Sequence, residues 1–280
     1  MKRHALAATF SGLLLAAGGA SASLVINYPD FSSIAGLQLN GNAAQAGSVL
    51  RVTPATFGQA GSVFSSSTVS LASSASFSTY FQFRFTDAGG SCDSLTTCGA
   101  DGLVFAVQTV SNTAGGAGGG IGYAGLPHSV GLEFDTWNNG GIDGGSSNHV
   151  GIDTNGDVNS VVRAEVTEAD MNNGGVWNAW VDYNGATNLL EVRLTQGAAR
   201  PGAAMLSYTL DLAAILGSTN AYVGFTSGTG SAFANHDVLS WRLEDDFRPI
   251  GTPVPEPGTL ALFGLALAGL GAVRRRAATR

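Results

Sequence analysis

Residues 129–153 read SVGLEFDTWNNGGIDGGSSNHVGID, and this stretch decides how the rest of the chain is read. Val130, Leu132 and Phe134 alternate with Glu133 and Asp135. In a strand, residues i and i+2 point the same way, so the two carboxylates lie side by side on the face opposite the apolar residues. A polar, glycine-rich loop follows, carrying Asn139, Asp143 and His149, and the chain returns to an apolar strand at HVGID. Two carboxylates held this close repel each other and bind protons more tightly unless a cation neutralises them. The stretch therefore predicts a metal site. Oxygen ligands from Glu133, Asp135, Asn139 and Asp143 suit a hard cation such as Ca²⁺, and the His149 imidazole suits a transition metal.

The bulk composition fits an all-β domain. Of 280 residues 44% are hydrophobic and only 12% charged, with 40 glycines. That is enough for one sizeable core built from short strands and many turns. Residues 23–248 carry seven arginines against nineteen acids, and the single lysine of the chain is Lys2. Such a surface repels phosphate backbones, which argues against nucleic-acid binding. A Walker-type phosphate loop needs a lysine and is excluded.

Outward from the central stretch, the clearest strand is residues 77–86, with Phe77, Thr79, Phe81, Phe83 and Phe85 on one face and polar residues on the other. Further strands are expected at 37–41, 49–52, 158–166, 177–183, 189–194, 204–210, 221–226 and 238–243. Asn184-Gly185 marks a hairpin, and 212–216 a single helical turn. Residues 153–159, DTNGDVN, imitate the start of an EF-hand loop. The sixth position lacks glycine and the twelfth is Ala164, so a hairpin turn is expected instead. The glycine-dense run 111–125 fails as a dinucleotide fingerprint because no parallel βαβ unit surrounds it. Cys92 and Cys98 flank a short loop and, in an exported chain, are expected to pair.

The two ends read as addresses. Residues 1–22 have the charged start, apolar stretch and Ala20-Ser21-Ala22 cleavage site of a secretory signal. Residues 249–280 carry Pro255-Glu256-Pro257, an apolar stretch 259–273 and Arg274-Arg275-Arg276. The apolar stretch is short for a full membrane span, and its basic flank should stay cytoplasmic.

The central string resembles the metal and sugar loop of the legume-type (L-type) lectins. The matching residues are Glu133, Asp135, Trp137, Asn139, Asp143, His149 and Val150-Gly151-Ile152-Asp153. One departure is a gap from Asp143 to His149 that is a residue longer, with glycines in place of the common proline. The resemblance continues through the strand FSTYFQFRFT, the Ala100-Asp101 pair and the segment from Gly224 to Trp241, and so spans about residues 26–247. It implies a legume-lectin-like antiparallel β-sandwich, or jelly roll, for residues 23–248. It further implies Ca²⁺ on Asp135, Asn139, Asp143 and the Trp137 carbonyl. A second, transition-metal ion such as Mn²⁺ would sit on Glu133, Asp135, Asp143 and His149.

For the sugar, the resemblance implies a cis Ala100-Asp101 peptide with the Asp101 carboxylate as acceptor. It adds a backbone N–H from the Gly118–Gly120 run, with Gly119 and Gly120 as candidates, Trp137 as a stacking plane, Asn139, and Gly230 with Ser231 in the last loop. The tail resembles a PEP-CTERM sorting signal of Gram-negative bacteria that make extracellular polysaccharide, which implies an exosortase partner and a transient membrane anchor. The expected function is calcium-dependent carbohydrate binding at the cell surface, without catalysis. Two alternatives stay open: an adhesive matrix protein with a vestigial sugar site, and a glycoside hydrolase on a related sandwich. The hydrolase motif Glu-x-Asp-x-(x)-Glu lacks its second glutamate here, because Trp137 and Asn138 follow Thr136.

Overall fold

The computed structural model describes residues 24–71, 75–93, 98–116 and 118–251. The signal segment 1–22 and the sorting residues Pro255, Glu256 and Pro257, with the apolar and basic tail, lie outside the described residues. Among the described residues no helix is long and apolar enough to cross a membrane.

Sixteen strands are described. The first six are β1 (Leu24–Tyr28), β2 (Leu37–Gly41), β3 (Ala44–Ala46), β4 (Val49–Thr53), β5 (Ala60–Ser65) and β6 (Val69–Ser70). Five more follow: β7 (Phe77–Gly90), β8 (Gly102–Gln108), β9 (Ser129–Asp135), β10 (His149–Thr154) and β11 (Asp157–Glu165). The last are β12 (Trp177–Asn184), β13 (Leu189–Thr195), β14 (Leu206–Thr209), β15 (Asn220–Gly228) and β16 (Ala232–Glu244). They form two antiparallel sheets. One runs β14-β13-β12-β7-β16-β4-β3 with β1 on β16, and the other β11-β10-β9-β8-β15-β5-β2 with β6 on β15. This is the expected β-sandwich.

Alternation makes the sheets pack. In β7 the residues Phe77, Phe81, Phe83 and Phe85 are buried while Tyr80, Gln82, Arg84 and Thr86 are half-buried. Phe81 meets Phe134 of the opposite sheet edge-on at 5.7 Å and Phe225 at 5.1 Å, and Phe225 meets Trp241 at 5.0 Å. Each buried ring is worth roughly 1.5–3 kcal/mol of removed apolar surface. These interlocking aromatics are what hold one sheet on the other.

Several expected boundaries move. The strands expected at 238–243 and 221–226 run longer, as β16 and β15, and the one expected at 204–210 is shorter, as β14. The longer strands gain cross-strand partners that no local pattern reveals; β16 alone pairs with β1, β4 and β7. The helical turn is α1 (Leu212–Leu216), capped by the Asp211 side chain at its start and by Gly217 in a left-handed conformation at its end. The EF-hand look-alike is a hairpin turn, as expected: Asn155 and Gly156 both take positive φ between β10 and β11. Cys92 and Cys98 are joined in a disulfide.

Candidate functional site

β9 and β10 build the floor of the site. Val130, Leu132 and Phe134 enter the main core, which turns Glu133 and Asp135 to the other face. The antiparallel register sets His149 opposite Asp135 and Gly151 opposite Glu133. A Cβ at Gly151 would fall 2.3 Å from Glu133 Oε1 and 2.0 Å from Ser160 Oγ, so glycine there makes room for the Glu133 carboxylate to cross its neighbouring strand. A second apolar cluster, including Ile121, Tyr123 and Leu126 from the segment after the glycine run, covers part of this face. Glu133, Asp135 and His149 are accordingly almost fully buried, at 1%, 2% and 1% exposure.

One ligand atom from each of Glu133, Asp135 and His149 lies within 4.8 Å of the others. His149 Nε2 is 3.1 Å from Glu133 Oε1, and its Nδ1 has no hydrogen-bonding partner. Asp143 is also buried and accepts the Asn139 N–H. Burial first, then the Glu133 and Asp143 charges, hold the Asp135 carboxyl well above the usual carboxylate range. Burial likewise raises Asp143, with the Glu133 charge adding to it. Buried like charges of this kind are normally compensated by a cation. The donor set, carboxylates plus one imidazole, fits a hard divalent ion beside a borderline one.

Above this floor the loops converge. The Ala100-Asp101 peptide is cis. Asp101 N donates to Gly228 O at 3.1 Å, and the Asp101 carbonyl accepts from Thr136 N at 3.0 Å. Asp101 is 4% exposed, its Oδ2 has no partner, and burial followed by the Asp143 charge pushes its pKa up to about 7. A Cβ at Gly230 would lie 3.8 Å from that Oδ2, and one at Gly119 would lie 2.8 Å from Asn139 Nδ2. Asp101 with Gly230 and Asn139 with Gly119 thus form two close pairs from four separate chain segments, and Asp143 links them, since its charge acts on Asp101 and it accepts the Asn139 N–H. Asn139 is exposed and Trp137 half-buried.

Two other expected contributors make different contacts. The Gly120 carbonyl closes the turn onto Tyr123 and Ala124, and a Cβ there would meet Ala124 instead of Asn139. Ser231 is exposed next to Gly230, with its carbonyl accepting from Ser91 N at 2.9 Å. Three residues that the sequence reading left unassigned belong to the surroundings. Ser160 Oγ bonds both Glu133 and Asp153, Asp153 is fully buried, and Asp93 Oδ2 accepts the Asn138 N–H at 2.6 Å. Asp153 stood in the HVGID string, where its burial could have been inferred. Ser160 and Asp93 carry no local signal, because register and loop packing alone bring them in.

The profile of the legume lectin domain matches residues 23–253. The chain belongs to the legume lectin domain family. The PEP-CTERM protein-sorting motif matches residues 253–276. The L-type lectin-domain containing receptor kinase VIII.1 of Arabidopsis thaliana is 32% identical over 207 residues, covering 72% of this chain and 27% of the kinase. A lectin of Pisum sativum is 32% identical over 157 residues, 52% of this chain and 56% of that lectin. The chain therefore spans about a quarter of the first relative's length. Among solved structures, a Bauhinia forficata lectin in complex with GalNAc superposes with TM-score 0.67 and 25% identity, over 80% of this chain and 98% of that one. A metal-free Griffonia simplicifolia lectin gives TM-score 0.65, 25% identity, and 78% and 97% coverage.

Proposed function

We propose that the domain, residues 23–248, is a calcium-dependent carbohydrate-binding lectin, exported by the signal 1–22 and sorted through residues 249–280. The observation that carries this reading is the buried Glu133, Asp135 and His149 cluster, whose Asp135 feels the charges of Asp143 and Asp101, next to the Asp101–Gly230 and Asn139–Gly119 close approaches. Ca²⁺ would be held by Asp135, Asn139, Asp143 and the Trp137 carbonyl, and a second ion such as Mn²⁺ by Glu133, Asp135, Asp143 and His149. When bound, the metals supply positive charge that orders the loop and lets the buried carboxylates stay ionised.

The sugar chemistry falls to the chain's own groups. The Asp101 carboxylate, short of a partner, accepts from sugar hydroxyls, and Asn139 donates. Trp137 offers an apolar plane to the C–H face of the ring. Gly119 or Gly120, with Gly230 and Ser231, lines the rim. The ligand class that suits an exported chain with this sorting tail is an extracellular polysaccharide. An exosortase would be the sorting partner, with transient anchoring through residues 259–273. Glycan-array binding with and without chelator tests the reading. Binding that is lost with chelator and restored by calcium supports it, and binding indifferent to metal removal overturns its calcium dependence.

A further inference from the structure

The segment Trp137-Asn138-Asn139 has three successive backbone amides, and each donates to a different carboxylate. Trp137 N donates to Asp135 Oδ1 at 2.6 Å, Asn138 N to Asp93 Oδ2 at 2.6 Å, and Asn139 N to Asp143. Asp135 and Asp143 belong to the acidic floor. Asp93 does not; it arrives from 45 residues away and stands next to Cys92. Asn138 in turn organises the loop, donating from Nδ2 to Gly145 O at 2.7 Å and accepting at Oδ1 from Gly140 N at 2.7 Å.

Asp93 is itself held. On one side of it, Ser91 N donates to Ser231 O at 2.9 Å. The Cys92–Cys98 disulfide ties it to the other side, where Asp101 N donates to Gly228 O and the Asp101 carbonyl accepts from Thr136 N. We propose that Asp93 is a positioning residue for the binding loop and that the disulfide is its anchor. It fixes the middle amide of the segment whose two outer residues would hold calcium and sugar, so the loop is set before ligand arrives. This rests on the lectin reading above.

The test uses the full chain and three variants: Asp93→Ala, Asp93→Asn, and Cys92→Ser with Cys98→Ser. Three quantities are read: hydrogen exchange of the Asn138 amide in metal-free protein, calcium affinity by calorimetry, and Tm. Asp93→Ala should speed Asn138 exchange and weaken calcium binding, each about tenfold, as expected for loss of one hydrogen bond. Its Tm should stay near the parent's. Asp93→Asn keeps an acceptor oxygen and should recover most of both effects. The cysteine variant should fall between the parent and Asp93→Ala. Unchanged exchange and affinity in Asp93→Ala would overturn the proposal. So would equal losses in the alanine and asparagine variants, since charge instead of acceptor geometry would then be at stake. A parent protein that takes up no calcium would sink the calcium reading, while the Asn138 exchange rates still decide the role of Asp93.

Discussion

Gly119 approaches Asn139 so closely that a methyl group on it would lie 2.8 Å from the Asn139 amide nitrogen. That nitrogen is the free end of an exposed side chain, so Gly119→Ala should displace Asn139 and leave the backbone in place. The expected result is a loss of sugar affinity of up to about tenfold, the worth of one hydrogen bond, with little change in Tm. Titration calorimetry beside a melting curve checks it; a large drop in Tm would mean that the glycine serves the fold instead.

Asp101→Ala should trade binding for stability. The Asp101 carboxylate is buried with an unpartnered oxygen and a pKa raised to about 7, chiefly by burial. A folded-state pKa above the unfolded one means the native chain binds the extra proton. Stability from this group is therefore present at low pH and is lost as pH rises from about 4 to about 7. The variant should melt higher than the parent in metal-free protein at pH 8, and the difference should shrink towards pH 4. Its sugar affinity should fall about ten- to a hundredfold. Unaltered sugar binding would show that the site lies elsewhere.

Calcium uptake should be coupled to proton release. Asp135 and Asp143 are both raised, first by burial and then by neighbouring carboxylates. Protons therefore compete with the ion, and affinity for calcium in metal-stripped protein should decline as pH falls from 8 to 5. Calorimetry in two buffers of different ionisation enthalpy reads the released protons directly. An observed heat independent of buffer would contradict the coupling.

His236 should make the domain acid-sensitive. It is fully buried, Nδ1 is 2.7 Å from Thr53 Oγ1, and the Phe85 ring meets it edge-on at 4.6 Å. Burial lowers its pKa to about 3. In the unfolded chain it takes up a proton near pH 6.5, so stability is full above that value and declines as pH falls towards 3. At pH 5 the loss is about 2 kcal/mol for this one group. Comparing the pH dependence of denaturant midpoints in the parent and His236→Gln isolates it; equal slopes between pH 7 and 5 would remove histidine from the account.

The sequence alone determined that Glu133 and Asp135 share a face, because a strand repeats every two residues and this is a local property. For the same reason it determined the alternation of buried and half-buried residues from Thr79 to Thr86 in β7, the hairpin at Asn155-Gly156 and the lectin pattern of the central loop, while Ser78, expected on the wet face, is buried. The tertiary structure alone decided what those residues meet. His149 faces Asp135, and Gly151 yields to Glu133, through the β9–β10 register. Ser160 reaches Glu133 from β11, Gly119 and not Gly120 abuts Asn139, and Asp93 caps Asn138 from the disulfide loop. Register and loop placement result from packing summed over both sheets. No short window of residues encodes them, since shifting one strand by a single residue would leave its local pattern intact and turn every side chain to the other face.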